Sequence, residues 1–216
     1  LHFNGYVFLI TLSTAAVPVV FGLMQKDVFR FAPAQITLMG TLFLAGGIAG
    51  CALGGRMVDR RGTRRVFLCA HISYAVVIAA MLARHWAPWS LPVHTGLCVF
   101  CYSLVMGMAG VAVTSEILAL IPSANKSLST AFTMTLFSGG TALSALLVSQ
   151  AIGWGILAPE WMLFGRPYSD YDALLMFFAG LVLFLLAALG LVPKVVNKAQ
   201  LISGGGFEEE RQGYCQ

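Results

Sequence analysis

Charge is what this sequence has least of. Lys, Arg, Asp and Glu make up 10% of its 216 residues, against about 25% in a soluble domain. So few charges cannot cover a water-facing surface, which argues against a soluble fold and for lipid contact over most of the molecule. Motifs of common chemistry are missing as well. No glycine-rich loop ends in Gly-Lys-Ser/Thr, no His-x-x-x-x-His pattern occurs, and neither a cofactor nor a metal site is expected. The formal net charge of +4, from 13 basic and 9 acidic residues, is too sparse for a nucleic-acid footprint, so no nucleic-acid partner is expected. A secretory leader pattern is also lacking. Five cysteines occur, Cys51, Cys69, Cys98, Cys101 and Cys215. Cys98-x-x-Cys101 sits inside a long apolar run, so the thiols read as buried packing groups rather than a redox pair.

What is abundant is apolar surface: 58% hydrophobic residues and 23 glycines, with a mean hydropathy of +0.83. Six apolar stretches are separated by short polar breaks, at residues 3–24, 35–53, 66–83, 96–121, 128–152 and 173–192. Lengths of about 18 to 26 residues suit membrane-spanning helices, and the alternation of barrel strands is absent. The expected fold class is therefore all-α, a polytopic transmembrane helical bundle of six spans. Pro18 falls near the middle of the first stretch, where it predicts a kink. Gly46, Gly50 and Gly54 recur every four residues in the second, a stripe that permits close helix contact. Residues 85–94 and 153–172 read as interfacial loops rich in Trp, Tyr and Pro. Residues 193–216 form a polar tail, expected to be disordered.

The bases are asymmetric. With alternating loops, Arg56, Arg60, Arg61, Arg64, Arg65, Lys126, Lys194, Lys198 and Arg211 fall on one side, and Lys26, Arg30, Arg84 and Arg166 on the other. The positive-inside rule then places both chain ends in the cytoplasm of a multi-pass protein in a plasma or inner cell membrane.

The one dense charge run, between the second and third stretches, reads Gly55-Arg56-Met57-Val58-Asp59-Arg60-Arg61-Gly62-Thr63-Arg64-Arg65. Taken bare, it is either a positive-inside anchor or a latch. In the latch, an acid ending one helix pairs with bases opening the next across a glycine reversal. The segment resembles the signature loop of the major facilitator superfamily, carried by Gly55, Asp59, Arg60, Gly62, Arg64 and Arg65. In that family the loop joins the second and third helices and recurs, more loosely, between the eighth and ninth. Thr63 departs from the basic residue common after the glycine, which fits the looser copy. The arginine usual in the family's fourth helix and the Gly-Pro signature of its fifth are missing. Ser115-Glu116-Ile117, then Pro122 and Lys126, is similar to the tenth helix and its following loop. The resemblance therefore implies the C-terminal six-helix half, with residues 1–24 as helix seven and 173–192 as helix twelve. A chain opening on Leu1 rather than Met agrees with a fragment.

The resemblance also implies partners: the N-terminal six-helix half of the same transporter, the lipid bilayer, a small-molecule substrate and a coupling proton or ion. Helices seven, eight, ten and eleven would line the path, with nine and twelve outside. Glu116, a carboxylate within an apolar stretch, is a candidate buried charge. It is either a salt-bridge partner of Arg64 or Arg65 or a proton-coupling acid. Asn4, Tyr102, Ser103, Met106, Thr133 and Phe137 are candidates for the substrate path. Ser103, Gly107, Gly110 and Thr114 share one helical face, suited to lining a cavity or to packing. No catalytic residue is expected: Ser138-Gly139-Gly140 lacks the preceding glycine of an intramembrane serine hydrolase, and His71 or His94 would be an arbitrary base. The function expected is the C-terminal half of a secondary active transporter working by alternating access. The alternative is a six-helix structural or assembly membrane protein that does not transport.

Overall fold

In hydrocarbon only an internal ladder satisfies every backbone N–H and C=O, so long apolar runs become helices. The computed structural model describes residues 2–120, 126–155, 160–163 and 165–191. Among them, six helical spans are long and apolar enough to cross a membrane: Phe3–Val28, Pro33–Arg61, Thr63–Trp86, Leu91–Ala119, Ser127–Gly153 and Asp170–Ala188. The protein is an all-α six-helix membrane-spanning bundle, a multi-pass membrane protein. The polar tail at 193–216 and the break at 122–125 lie outside the described residues.

The first span is two helices, α1 (His2–Thr14) and α2 (Val17–Leu23), ending in a π-helical turn at Met24–Val28. Pro18 lies in the first turn of α2. Lacking an N–H, it leaves the carbonyl four residues back, that of Thr14, without a helical donor. The Tyr102 hydroxyl donates to that carbonyl at 2.8 Å. Nearby, the Ser144 hydroxyl donates to the Leu12 carbonyl at 2.7 Å. The break is thus fastened to two neighbouring helices.

α3 (Pro33–Arg61) runs on through most of the segment read as a loop, and only Gly62 separates it from α4 (Thr63–Leu82). Nothing between Gly55 and Arg61 forbids a helix, and Arg60 and Arg61 suit its negative C-terminal end. Gly62 takes φ +78°, a conformation most side chains avoid. A short 3₁₀ turn (Ala83–Trp86) follows α4; then come α5 (Leu91–Leu120), α6 (Lys126–Gly153) and α7 (Asp170–Leu191). Within the loop at 153–172, strands β1 (Glu160–Leu163) and β2 (Arg166–Ser169) form an antiparallel hairpin, Glu160 opposite Ser169 and Leu163 opposite Arg166. Period-based reading missed it because each strand has only four residues.

α3 lies against α5 backbone to backbone. A methyl at Gly46 or Gly50 would land on the Phe100 or Leu104 carbonyl, and one at Gly54 would come within 2.8 Å of the Met108 Cα. Gly107 repeats the device from α5, where a Cβ would meet the Gly47 carbonyl at 2.5 Å and the Cys51 nitrogen at 2.9 Å. Two buried clusters fill the bundle. One is built on Val20, Phe21, Met24, Tyr74, Ile78, Tyr102, Leu175 and Phe178. The other, toward Gly62, is built on Phe3, Val7, Val66, Phe67, Ala112, Ile117 and Leu185. Cys98 is buried and Cys101 half-buried in keeping with their apolar run, whereas Cys51 and Cys69 face outward.

Candidate functional site

The charge-rich end is built by Gly62. Asp59 and Arg60 sit on the last turn of α3, Arg64 and Arg65 on the first turn of α4, and all four are exposed, while Gly55 is half-buried one turn earlier. Among the described residues no ion pair joins Asp59 to either arginine. Glu116 is buried at the adjoining end of α5. Its donor is neither Arg64 nor Arg65 but the Thr63 hydroxyl, 2.6 Å from Oε2. Thr63, the departure from the family pattern, is therefore what touches the buried acid. The other carboxyl oxygen, Oε1, has no hydrogen-bond partner among the described residues.

Further into the bundle, α1, α4, α5 and α6 line a partly open cavity of about 290 Å³. α1 supplies Tyr6, Ile10 and Thr14, one stripe at helical spacing; α4 supplies Phe67, His71 and Tyr74 on one face. Met106, Ala109, Gly110 and Val113 close it from α5, and Phe137 and Thr141 from α6. His71 is buried, with Nδ1 2.7 Å from the Phe67 carbonyl and Nε2 3.3 Å from the Tyr6 hydroxyl. Among the described residues no formally charged side chain lines the cavity.

Of the six path candidates, the structure brings Met106 and Phe137 together in this wall. Tyr102 is buried outside it, its hydroxyl engaged with Thr14. Ser103 is pressed against Gly46 and Gly47 at the α3 contact. Asn4 and Thr133 meet each other, the Thr133 hydroxyl 3.2 Å from the Asn4 side-chain oxygen, joining α1 to α6. The face carrying Ser103, Gly107, Gly110 and Thr114 divides: its first two residues pack on α3, Gly110 lines the cavity and Thr114 is exposed. Sequence reasoning missed Tyr6 and passed over His71. The signal was there, since Tyr6-x-x-x-Ile10-x-x-x-Thr14 and Phe67-x-x-x-His71-x-x-Tyr74 both keep one helical face. α4, which the resemblance sets outside the path, supplies one wall of this cavity.

The opposite end carries a second polar construction that the sequence did not disclose. Arg84 and Asp172 form a buried bidentate ion pair, Nη1 to Oδ1 and Nη2 to Oδ2, the latter at 2.8 Å. Asp172 Oδ2 also accepts from the Ser169 N–H at 2.8 Å and hydroxyl at 3.0 Å. The Arg84 guanidinium lies 5.4 Å from the Phe29 ring centre and 5.5 Å from that of Tyr168. Tyr168 donates to the Leu82 carbonyl at 3.2 Å; burial pushes its hydroxyl pKa up, against the opposing pull of Arg84. A wide cleft of about 760 Å³ opens here, walled in part by Asp27, Arg30, Trp89, Glu160 and Tyr171. His94 takes the Trp89 N–H on Nδ1 and holds the Ala80 carbonyl with Nε2, tying this end's loop to two helices.

The sequence matches no protein-family model, and comparison with curated proteins finds no similar sequence. The fold and its sites define a class, a polytopic six-span membrane protein consistent with transport in general.

Proposed function

We propose that the chain is the C-terminal half of a secondary active transporter of the major facilitator type, moving a small solute by alternating access in a cell membrane, with both chain ends cytoplasmic. The observation that carries this reading is the cavity of about 290 Å³ within the membrane-spanning part, polar at Tyr6, Thr11, Thr14, His71, Tyr74 and Thr141 and apolar elsewhere. Carriers place their solute site near the bilayer midplane at the interface of their repeats, and this cavity would be the share of it that the C-terminal half supplies. The signature-like segment Gly55 to Arg65 supports it, with Gly62 as a one-residue reversal between α3 and α4. Asp59 and Arg64 are exposed at that end, available to the N-terminal half as a gate contact, with Glu116 behind them. α3 and α6 bury only 17% and 22% of their most apolar stretches, which leaves surface for that half and for lipid.

A lone half supplies one wall of an alternating path. Transport is therefore expected from the complete carrier and not from these 216 residues alone, and proteoliposome uptake by the two preparations tests it. One observation favours the alternative, a non-transporting structural or assembly protein: Asp59, Arg64 and Glu116 make no ion pair with one another among the described residues. That alternative expects no uptake from either preparation.

A further inference from the structure

An ionisable ring buried in a membrane-spanning wall is an expensive feature. The hydrogen bonds of His71 define where its protons are. The Phe67 carbonyl can only accept, so Nδ1, 2.7 Å away, carries the hydrogen. In the neutral ring Nε2 is then the acceptor, and the Tyr6 hydroxyl at 3.3 Å donates to it. Tyr6 thus shows the cavity an oxygen lone pair and no hydrogen. Three threonines around the wall do the same. Thr11 donates to the Val7 carbonyl, Thr14 to that of Ile10 and Thr141 to that of Phe137, each a bond within its own helix.

We propose that Nε2 of His71 is a proton-binding site of the transport cycle, and that its occupancy decides whether the Tyr6 hydroxyl meets the solute as acceptor or as donor. The proposal rests on the carrier reading above. A hydronium ion reaching the cavity gives up one O–H bond, its proton bonds to the Nε2 lone pair, and the ring becomes an imidazolium while a neutral water molecule is left behind. Nε2–H then donates to the Tyr6 oxygen, and the Tyr6 O–H, displaced from Nε2, turns toward the cavity. The unprotonated site suits a solute that brings donors; the protonated site suits one that brings an acceptor.

The surroundings make the ring the focus of this change. Facing the cavity beside His71 are Tyr6 from α1, Tyr74 from α4, Met106, Ala109 and Val113 from α5, and Phe137 and Thr141 from α6, none formally charged. α7 carries Asp170, Tyr171 and Asp172 in its first turn, at the end away from α3's charges, and no titratable side chain after them, and α3 carries formal charge only from Arg56 to Arg61, at the end where α4 begins. Glu116 is held at that end by Thr63, about 12 Å along α4 from His71 at 1.5 Å per residue. Among the described residues no carboxylate lies beside the ring to neutralise the added charge, so the change is passed to Tyr6 and the solute.

The test is ¹⁵N NMR of histidine side chains in the whole chain, in lipid nanodiscs, from about pH 8 to about pH 4.5, the range in which imidazoles titrate. His2, His71, His85 and His94 are the four rings; His71→Gln identifies the resonance. A chain with the other three changed to Gln leaves His71 alone, should His71→Gln not fold. The expected result is a neutral ring protonated on Nδ1 at high pH that becomes an imidazolium within the range. Tyr6→Phe, with the remaining spectrum retained, shifts its midpoint by about half a unit or more. A ring that stays neutral throughout, one protonated on Nε2 at high pH, or a midpoint unmoved by Tyr6→Phe overturns the proposal. The titration needs no solute, so its failure leaves the carrier reading standing. Absence of uptake by the complete carrier removes that reading, and the cycle with it, whatever His71 does.

Discussion

Tyr102 shows how far a single residue's role departs from its type. A tyrosine in a membrane-spanning stretch suggests a solute contact, and here its hydroxyl serves a backbone carbonyl instead. Pro18 withholds the N–H that Thr14 would use, and Tyr102 supplies a donor at 2.8 Å. The kink was legible in the sequence because proline's chemistry is local. Its partner was not, because Tyr102 and Thr14 are 88 residues apart and only packing brings them together. Tyr102→Phe should therefore destabilise the protein by about 1–3 kcal/mol through an unsatisfied buried carbonyl. In a Pro18→Ala background residue 18 regains its N–H, and the same change should cost less, with a coupling of about 1 kcal/mol. Denaturant unfolding of the four proteins in detergent checks this; equal losses in both backgrounds would contradict it.

Between elements, the most legible feature was the glycine stripe of α3, because a four-residue repeat of Gly46, Gly50 and Gly54 has one physical use in a helix, the near approach of another backbone. The partner, α5, was not legible. Gly50→Leu would drive a side chain into the Leu104 backbone; overpacking of this kind costs about 1–3 kcal/mol, whereas Gly55→Leu, with open space around it, should cost less. Thermal unfolding compares them. The Arg84–Asp172 pair ties the 3₁₀ turn after α4 to the start of α7 and, through Ser169, to the hairpin. From sequence Arg84 reads only as a loop base. Arg84→Met strands a buried carboxylate and should cost about 3–5 kcal/mol, while the Arg84→Met, Asp172→Leu pair should recover most of the loss. A double variant no more stable than the single one would contradict that assignment.

On the scale of the whole molecule, scarcity of charge and six apolar runs were enough to read an all-α membrane-spanning bundle, since hydrocarbon leaves the backbone few choices. The site was legible only in pieces. Met106 and Phe137 lie in the cavity wall, and both belong to long apolar helices whose rotation the sequence leaves open. His71 and Tyr6 acquire meaning only when α1 and α4 are side by side. The central claim, that this bundle is half of a carrier whose solute passes the His71 cavity, is tested most directly by uptake. Proteoliposomes holding the complete carrier, and others holding this chain alone, are offered a panel of radiolabelled sugars, amino acids and small organic ions across a pH gradient. The expected result is accumulation of one class by the complete carrier, absent from the lone chain and diminished when Phe137→Trp fills the cavity. Equal uptake by the lone chain, no uptake by either, or full uptake with the cavity filled would contradict it.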